Sequence, residues 1–490
     1  MEALPVLLPL PIEATKSKPP KIVARVIIPP SPRTLPSLAI LLLAVGCGES
    51  PSMATKDSQT GAAPNVLLIS LDTLRRDFVG AYNPKQTTTP SLDAFAKKSL
   101  QFEQAFTHHP WTLTAHATML SGLYPTVHGV LSDRKMRDEV TLMPEIFQDA
   151  GYATVGVVDQ CMWVNPRFGF SQGFGNYLVV AKPAGPKVDT LLAQIDSVGG
   201  QPFFGFLHLF DAHSDAEKLP YDSAPAYMEE YAGWYKGDFD GTLEEHPEWG
   251  HSSALLIRMN EEGAVLEGDD ARYLEDLYRA GIRTMDEQLG RLLTELEQRG
   301  LLENTVIAIV SDHGESFYEH GLSLHEGQYD ELLRVPFLIR APCAAAGTTE
   351  EPVGLVDLAP TLLELAGLNK HADMQGRSLA PLLHGTGFAE SSDYVLLDNS
   401  MFLGLRSQTQ AAIWGPEGVG VYDMQNDPEQ RTNLAEDQAW APRVAELAKW
   451  SQAQYQTMEE LRSRLAALPG TVEISASDGA DLHAIGYTGE

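Results

Sequence analysis

Three nearly unbroken apolar runs in this chain each end on acidic or imidazole side chains, and that pattern narrows the fold more than any other feature. They are Asn65–Leu71, closing on Asp72; Pro202–Phe210, closing on Asp211 and His213; and Thr305–Val310, closing on Asp312 and His313. A strand that is apolar at almost every position is covered on both faces, as strands of parallel sheets are. Ala153–Val158 and Pro336–Ile339 read the same way. Helical patterns lie between them, from Ser91, from Leu142 to Ala150 and from Ala271 to Arg299. The last carries a continuous stripe of Leu274, Leu277, Tyr278, Ile282, Met285, Leu289, Leu293 and Leu296. Strands alternating with helices predict an α/β fold with a large, mixed but mostly parallel sheet flanked by helices. Ligands of such sheets gather at the carboxyl ends of the strands. Capping of a following helix accounts for one such Asp; three strand ends of this kind point to carboxylates sharing a cation.

After Leu383 the runs shorten to Tyr394–Leu397, Phe402–Arg406 and Ala411–Trp414, which predicts a small C-terminal antiparallel sheet and then a helix near Val444–Leu468. The expected division is a catalytic domain over 64–385, a C-terminal subdomain over 390–470 and a tail over 471–490. Residues 214–250 are acidic and aromatic with little periodicity, an expected surface excursion; 214–270 as a whole is expected to shape the pocket.

The stretch from Trp111 to Gly122 supplies a candidate nucleophile. Pro110 precedes it, Ala115, Ala117, Met119 and Leu120 favour helix, and Gly122 is a natural stop. Thr112 then sits at a helix N-terminus, where free N–H groups and the helix dipole favour an anion. It reads either as an N-cap or as a hydroxyl that attacks a charged ester with the help of a metal.

At 490 residues the chain has ample length for a large core, and a formal charge of −31 excludes nucleic acid as a partner. Only Cys47, Cys161 and Cys343 are present, so no disulfide framework is implied. Cys47 follows the apolar run Leu38–Val45, preceded by scattered Lys and Arg and followed by the small, polar stretch Gly48–Ala63. That arrangement suits a signal segment over 1–47 and a tether over 48–63. Leu43-Ala-Val-Gly-Cys47 resembles a bacterial lipoprotein processing box, which implies lipid on Cys47, export, and a membrane anchor at the periplasmic or cell surface.

Taken together, the motifs resemble the sulfatase family of the alkaline phosphatase superfamily. They are Asn65-Val-Leu-Leu-Ile-Ser-Leu-Asp72, Thr89-Pro-Ser-Leu-Asp93, the Thr112–Gly122 stretch, Ser311-Asp-His-Gly-Glu315 with Glu319-His-Gly321, Val356-Asp-Leu-Ala-Pro360 and Val421-Tyr-Asp423. The resemblance implies one divalent metal ion (Mn²⁺, Mg²⁺ or Ca²⁺, with Zn²⁺ also compatible) held by Asp72, Asp312, His313 and the Thr112 oxygen. It places His213 and His325 where the family contacts the transferred oxyanion or protonates the leaving group. His116 replaces an Arg of the usual nucleophile motif and is expected to hydrogen-bond the nucleophile or the anion. Asp211 and Arg75 are assigned to the substrate, Arg75 with surface charge as the alternative reading. His208 reads as a core histidine, and His108 and His109 as exposed.

The departures are chemical. Family members carry Cys or Ser at the nucleophile position, within Cys/Ser-x-Pro-x-Arg, and oxidise it to formylglycine. Threonine cannot yield that aldehyde because its carbinol carbon bears a methyl group, so no formylglycine is expected. Thr73 stands where many relatives have a second liganding Asp, and Val158-Asp159-Gln160-Cys161 lacks the usual Lys and His that grip sulfate. A plain Thr nucleophile resembles the phosphodiesterases and head-group transferases of the superfamily. The expected activity is therefore hydrolysis of a sulfuric or phosphoric ester, phosphorus favoured. The alternatives are transfer of a phosphorylated head group to a glycan or lipid, and a non-catalytic binding protein.

Overall fold

Strand β1 (Asn65–Leu71) shows why the first apolar run has no polar face. Its side chains alternate between two cores: Val66 and Leu68 join one, Leu67, Ile69 and Leu71 the other. The computed structural model describes residues 63–131, 134–214, 220–237, 252–388, 393–398, 402–415, 418–465 and 471. The expected signal segment, Cys47, the tether, much of the 214–250 excursion and all of the tail but Thr471 lie outside the described residues.

The main sheet adds β2 (Leu100–Phe102), β3 (Ala153–Asp159), β4 (Asn176–Val180), β5 (Phe203–Leu209), β6 (Thr305–Val310), β7 (Phe337–Arg340) and β8 (Gly347–Thr349). Their order is β8-β2-β7-β6-β1-β5-β3-β4. Only β7 runs against the others, pairing antiparallel with both β6 and β2. The sheet is mixed and mostly parallel, as the sequence predicts. On one face pack α1 (Pro90–Ala96), α4 (Ala184–Ser197) and α7 (Gly268–Gln298), whose stripe from Leu274 to Leu296 meets Leu207, Leu209 and Ile309. On the other pack α2 (Thr112–Ser121), α3 (Met143–Asp149) and α8 (Leu358–Leu365), against Phe204, Phe206, Val306 and Ala308. Between α4 and α7 in the chain lie α5 (Pro225–Ala232) and α6 (Ser252–Glu262). Among the described residues no helix is long and apolar enough to cross a membrane.

Helix α4 and strands β2, β4 and β8 are absent from the sequence reading. Two of these strands have three residues, too few for a period, and β4 is a partly exposed edge. Helix α4 did carry a signal, with Val188, Leu191, Leu192 and Ile195 buried at helical spacing.

The C-terminal sheet runs β9 (Val395–Asp398), β10 (Leu403–Arg406), β11 (Gln410–Gly415) and β12 (Gly418–Asp423), antiparallel throughout, followed by α9 (Ala441–Arg464). The fourth strand was not expected. Arg406 joins this sheet to the body by a bidentate pair with Asp330, 2.9 and 2.7 Å. Asp398 does so by accepting Thr126 N and Thr126 Oγ1, both at 2.7 Å. Burial pushes the Asp398 carboxyl up to about 7, a shift the Thr126 donors only partly oppose.

That shift has a sign. The folded chain keeps a proton on Asp398 that the unfolded chain releases near pH 4, so this site's stabilisation is complete below that pH and is lost as pH rises through about 7. Asp398→Asn should flatten the fall in thermal stability between pH 5 and pH 8, a difference of about 3 kcal/mol at this site. Equal pH dependence in wild type and variant, read by thermal melts, would contradict it.

Two histidines expected at the surface are buried. His108 donates from Nδ1 to Leu396 O (2.7 Å) and accepts Val356 N at Nε2 (3.2 Å), tying the helix α2 entrance to β9. Burial drives His108 down to about 4 and His109 to about 3, so both are neutral.

Candidate active site

Parallel register brings the strand ends together. Ser70 of β1 lies beside His208 of β5 and Val310 of β6, so Asp72 and the Asp312-His313 pair emerge side by side. Thr73 then adopts φ 54°, a left-handed conformation that is strained for a β-branched residue. Distant groups hold it there. Its N–H donates to Asp312 Oδ1 (3.1 Å), and its carbonyl accepts the Tyr278 hydroxyl from α7 (2.6 Å).

Asp72, Asp312 and His313 are fully buried and present ligand atoms all within 4.8 Å of one another. Thr112, the first residue of α2, places Oγ1 3.4 Å from Asp72 Oδ2 and 3.2 Å from His313 Nε2. The hydrogen bonds around them show which atoms remain available. Asp312 Oδ1 is taken by the N–H groups of Thr73 and His313, leaving Oδ2 without a partner. Asp72 Oδ2 accepts His208 Nε2 at 2.8 Å, leaving Oδ1 without one. His313 donates from Nδ1 to Gly314 O (2.9 Å), which turns the Nε2 lone pair toward Thr112.

Two carboxylate oxygens without a hydrogen-bond partner, an imidazole lone pair and the Thr112 hydroxyl thus converge. Burial, then the neighbouring Asp312, push Asp72 well above the usual carboxylate range. Burial also works on Asp312, but the neighbouring His313 and the Thr73 N–H outweigh it and hold Asp312 below that range. A dry site resists carrying both charges unless a cation shares them. The residues fit a single divalent metal, and three oxygen donors with one imidazole suit Mn²⁺, Mg²⁺, Ca²⁺ or Zn²⁺.

The other expected site residues divide. His213 and His325 meet, Nε2 to Nε2, at 3.1 Å, and the His325 ring stands edge-on to His313 with centroids 4.7 Å apart. Burial, reinforced by His325, takes His213 well below neutrality. His116 is bonded elsewhere than to the Thr112 hydroxyl: Nδ1 lies 2.7 Å from the Thr112 carbonyl and Nε2 3.0 Å from Ser70 Oγ. Burial lowers it to about 3, so it is a neutral brace between α2 and β1, 3.7 Å from Asp312 Oδ2. Arg75 is buried, its guanidinium held by Asp77 and Glu319 and donating to Glu315 O. Asp211 Oδ1 accepts Ala184 N (3.0 Å) at the start of α4, a helix that precedes it in the chain. Those partners give Arg75 and Asp211 structural contacts, and Asp211 Oδ2 stays without a hydrogen-bond partner.

Sequence reasoning took His208 for a core histidine and passed over two other groups. His208 shares the strand face of Phe204 and Phe206, toward α2, and strand alternation from those residues could have found it. Glu315, fully buried, sets Oε1 3.2 Å from His325 Nδ1. Lys187 on α4 is also fully buried and pairs with Asp159 at the end of β3, the position where the sequence lacks the family's lysine.

Comparison with known proteins agrees with this arrangement. The sulfatase family model matches residues 64–368. The uncharacterized sulfatase YidJ of Escherichia coli is 25% identical over 435 residues, covering 76% of this chain and 83% of that protein. A Delta 4,5-hexuronate-2-O-sulfatase of Bacteroides thetaiotaomicron is 25% identical over 439 residues, covering 79% and 88%. Among solved structures, the phosphonate monoester hydrolase of Agrobacterium radiobacter superposes with a TM-score of 0.64 at 20% identity, over 84% of this chain and 98% of that one. The chain is a sulfatase-like ester hydrolase and belongs to the sulfatase family, within the alkaline phosphatase superfamily.

Proposed function

We propose that this protein hydrolyses a phosphoric or sulfuric ester through a covalent intermediate on Thr112, with phosphorus the favoured centre. The observation that carries the reading is the Thr112 hydroxyl 3.2 and 3.4 Å from His313 Nε2 and Asp72 Oδ2, beside two orphaned carboxylate oxygens. Asp72, Asp312, His313 and Thr112 would hold the metal, which when bound polarises the ester and makes the hydroxyl a better nucleophile. The Thr112 hydroxyl gives its proton to Asp72 Oδ2, 3.4 Å away, as its oxygen attacks the central atom, and the bond to the leaving oxygen breaks with its electron pair moving to that oxygen. His325, whose Nε2 lies 3.1 Å from His213 Nε2, supplies the proton that oxygen needs. Water then displaces Thr112 and releases the acid. Phosphorus is favoured because the intermediate is opened by in-line displacement, whereas the aldehyde hydrate that expels sulfate in relatives cannot form on threonine. Relatives named for sulfated glycans and for phosphonate monoesters support an anionic ester as substrate. Export with a lipid on Cys47 belongs to the same proposal and rests on the sequence from Leu38 to Cys47.

The test is chemical trapping. The metal-loaded protein is mixed with aryl phosphate, aryl phosphodiester or aryl sulfate, quenched in acid, and mapped by peptide mass spectrometry. A phosphoryl or sulfuryl group on Thr112, formed faster than the steady-state rate, is expected. Rapid turnover with the modification on another residue overturns it.

A further inference from the structure

Helix α6 sends one half-buried side chain, Asn260, onto the backbone of a distant hairpin. Asn260 donates from Nδ2 to Ser323 O (3.0 Å), and its Oδ1 accepts both Ser323 N (2.9 Å) and Ser323 Oγ (3.0 Å). Ser323–Leu324 is a two-residue strand paired antiparallel with Ser316–Phe317, Ser323 standing opposite Phe317. In such a pair alternate residues turn both backbone groups away from the partner. Tyr318 N donates to Leu322 O (2.8 Å), so Ser323 is one that faces away. Ser323 is only 1% exposed, and its N–H and C=O need a partner within the protein. The Asn260 carboxamide offers a donor and an acceptor side by side and satisfies both, as a neighbouring strand would.

The next residue shows what this clamp supports. Leu324 is fully buried and holds φ 64°, the left-handed region that a non-glycine residue enters at a cost. Its turn leads to His325, whose Nε2 lies 3.1 Å from His213 Nε2 and whose ring stands edge-on to His313, centroids 4.7 Å apart. A strained residue keeps its conformation only where its surroundings fix it. Pairing with Phe317 fixes Ser323 on one side, and Asn260 fixes it on the other.

We propose that Asn260 is a positioning residue for the reaction: by clamping the Ser323 backbone it holds the Leu324 turn, and so sets where the His325 ring stands against the departing oxygen. The proposal rests on the reading in which His325 serves the leaving group. Asn260 takes no part in the bonds that form and break. It acts on distance and angle, and a displacement of about 1 Å in a reacting group costs up to about a hundredfold in rate. Through α6, the stretch over 214–270 thereby gains a defined part in the site.

Two measurements test it. The first needs no turnover. Hydrogen exchange of the full chain, read by mass spectrometry, should show the segment over 318–326 exchanging faster in Asn260→Leu, which matches the amide in size but cannot bond. Asn260→Asp keeps the acceptor for the Ser323 N–H and should fall between that variant and wild type. Equal exchange in wild type and Asn260→Leu overturns the proposal. The second is a double-mutant cycle with His325→Gln, using methyl and 4-nitrophenyl esters of whichever acid, phosphoric or sulfuric, the metal-loaded wild type cleaves. Asn260→Leu should lower kcat on the methyl ester by about tenfold or more with KM little changed. On the nitrophenyl ester, whose leaving group needs little protonation, the loss should be only a few-fold. In the His325→Gln background the same substitution should cost less than about twofold, because the ring it positions is gone. An equal loss in both backgrounds or on both esters means that Asn260 only steadies the fold and overturns the proposal, as does no loss at all. Failure of the leaving-group reading looks different: His325→Gln alone would then leave the methyl ester unaffected, while hydrogen exchange still reports on the clamp.

Discussion

Replacing Thr112 by Ala should lower kcat/KM by at least about a hundredfold on every ester the wild type cleaves, because the covalent route disappears and only unassisted attack by water remains. The loss should fall on kcat, with KM little changed, since the substrate's binding groups stay in place. Thr112→Ser should recover a large part of the rate, as its hydroxyl starts from the same helix terminus. The neighbours make this specific: Oγ1 faces His313 Nε2 and Asp72 Oδ2, so the oxygen is lost but the acidic cluster is intact. Steady-state assays with aryl phosphate, phosphodiester and sulfate under several divalent metals decide it. Near-full activity in Thr112→Ala would remove threonine from the chemistry altogether.

The second large effect concerns Asp312, and it runs in opposite directions with and without metal. Asn at this position still offers an oxygen to the Thr73 and His313 N–H groups. It replaces the unpartnered Oδ2 by a donor and removes the buried negative charge of Asp312. Metal affinity should therefore fall by at least about a hundredfold, at or beyond the upper end of what losing a ligand's supporting partner costs. The metal-free protein should melt no lower than wild type, because the repulsion that pushes Asp72 upward is gone. Calorimetric titration with Mn²⁺, Mg²⁺, Ca²⁺ and Zn²⁺, alongside melts in chelator and in excess metal, reads both. Unchanged affinity, or a variant that melts lower in chelator as well, would mean that Asp312 serves the backbone rather than a cation.

The core of this arrangement was legible because strands covered on both faces leave a strong mark and their ends are short in sequence. Asp72, Asp312 and His313 were found by looking where β1 and β6 stop. Thr112 was found from the residues that start and stop α2. What stayed hidden depended on pairing between strands. His208 is one imidazole in an apolar run until the register sets it beside Ser70 and against Asp72. Lys187 and Asp159 lie on separate elements and meet only because α4 packs beside β3. Part of the hold on Arg75 stayed hidden for the reciprocal reason: nothing local to residues 72–77 reveals Glu319, which arrives from a distant loop. Its guanidinium also lies over Phe78 and Phe317, 5.0 and 5.6 Å from the ring centroids, which adds to its hold on the fold.

The strained turn at Thr73 has a consequence for when the enzyme becomes competent. Its conformation is imposed by Asp312 and Tyr278, groups more than 200 residues downstream, and by no local preference. Asp72 can therefore be aimed correctly only once the long helix has seated on the finished sheet. The turn that aims Asp72 is thus completed only by side chains contributed from α7 and from the end of β6.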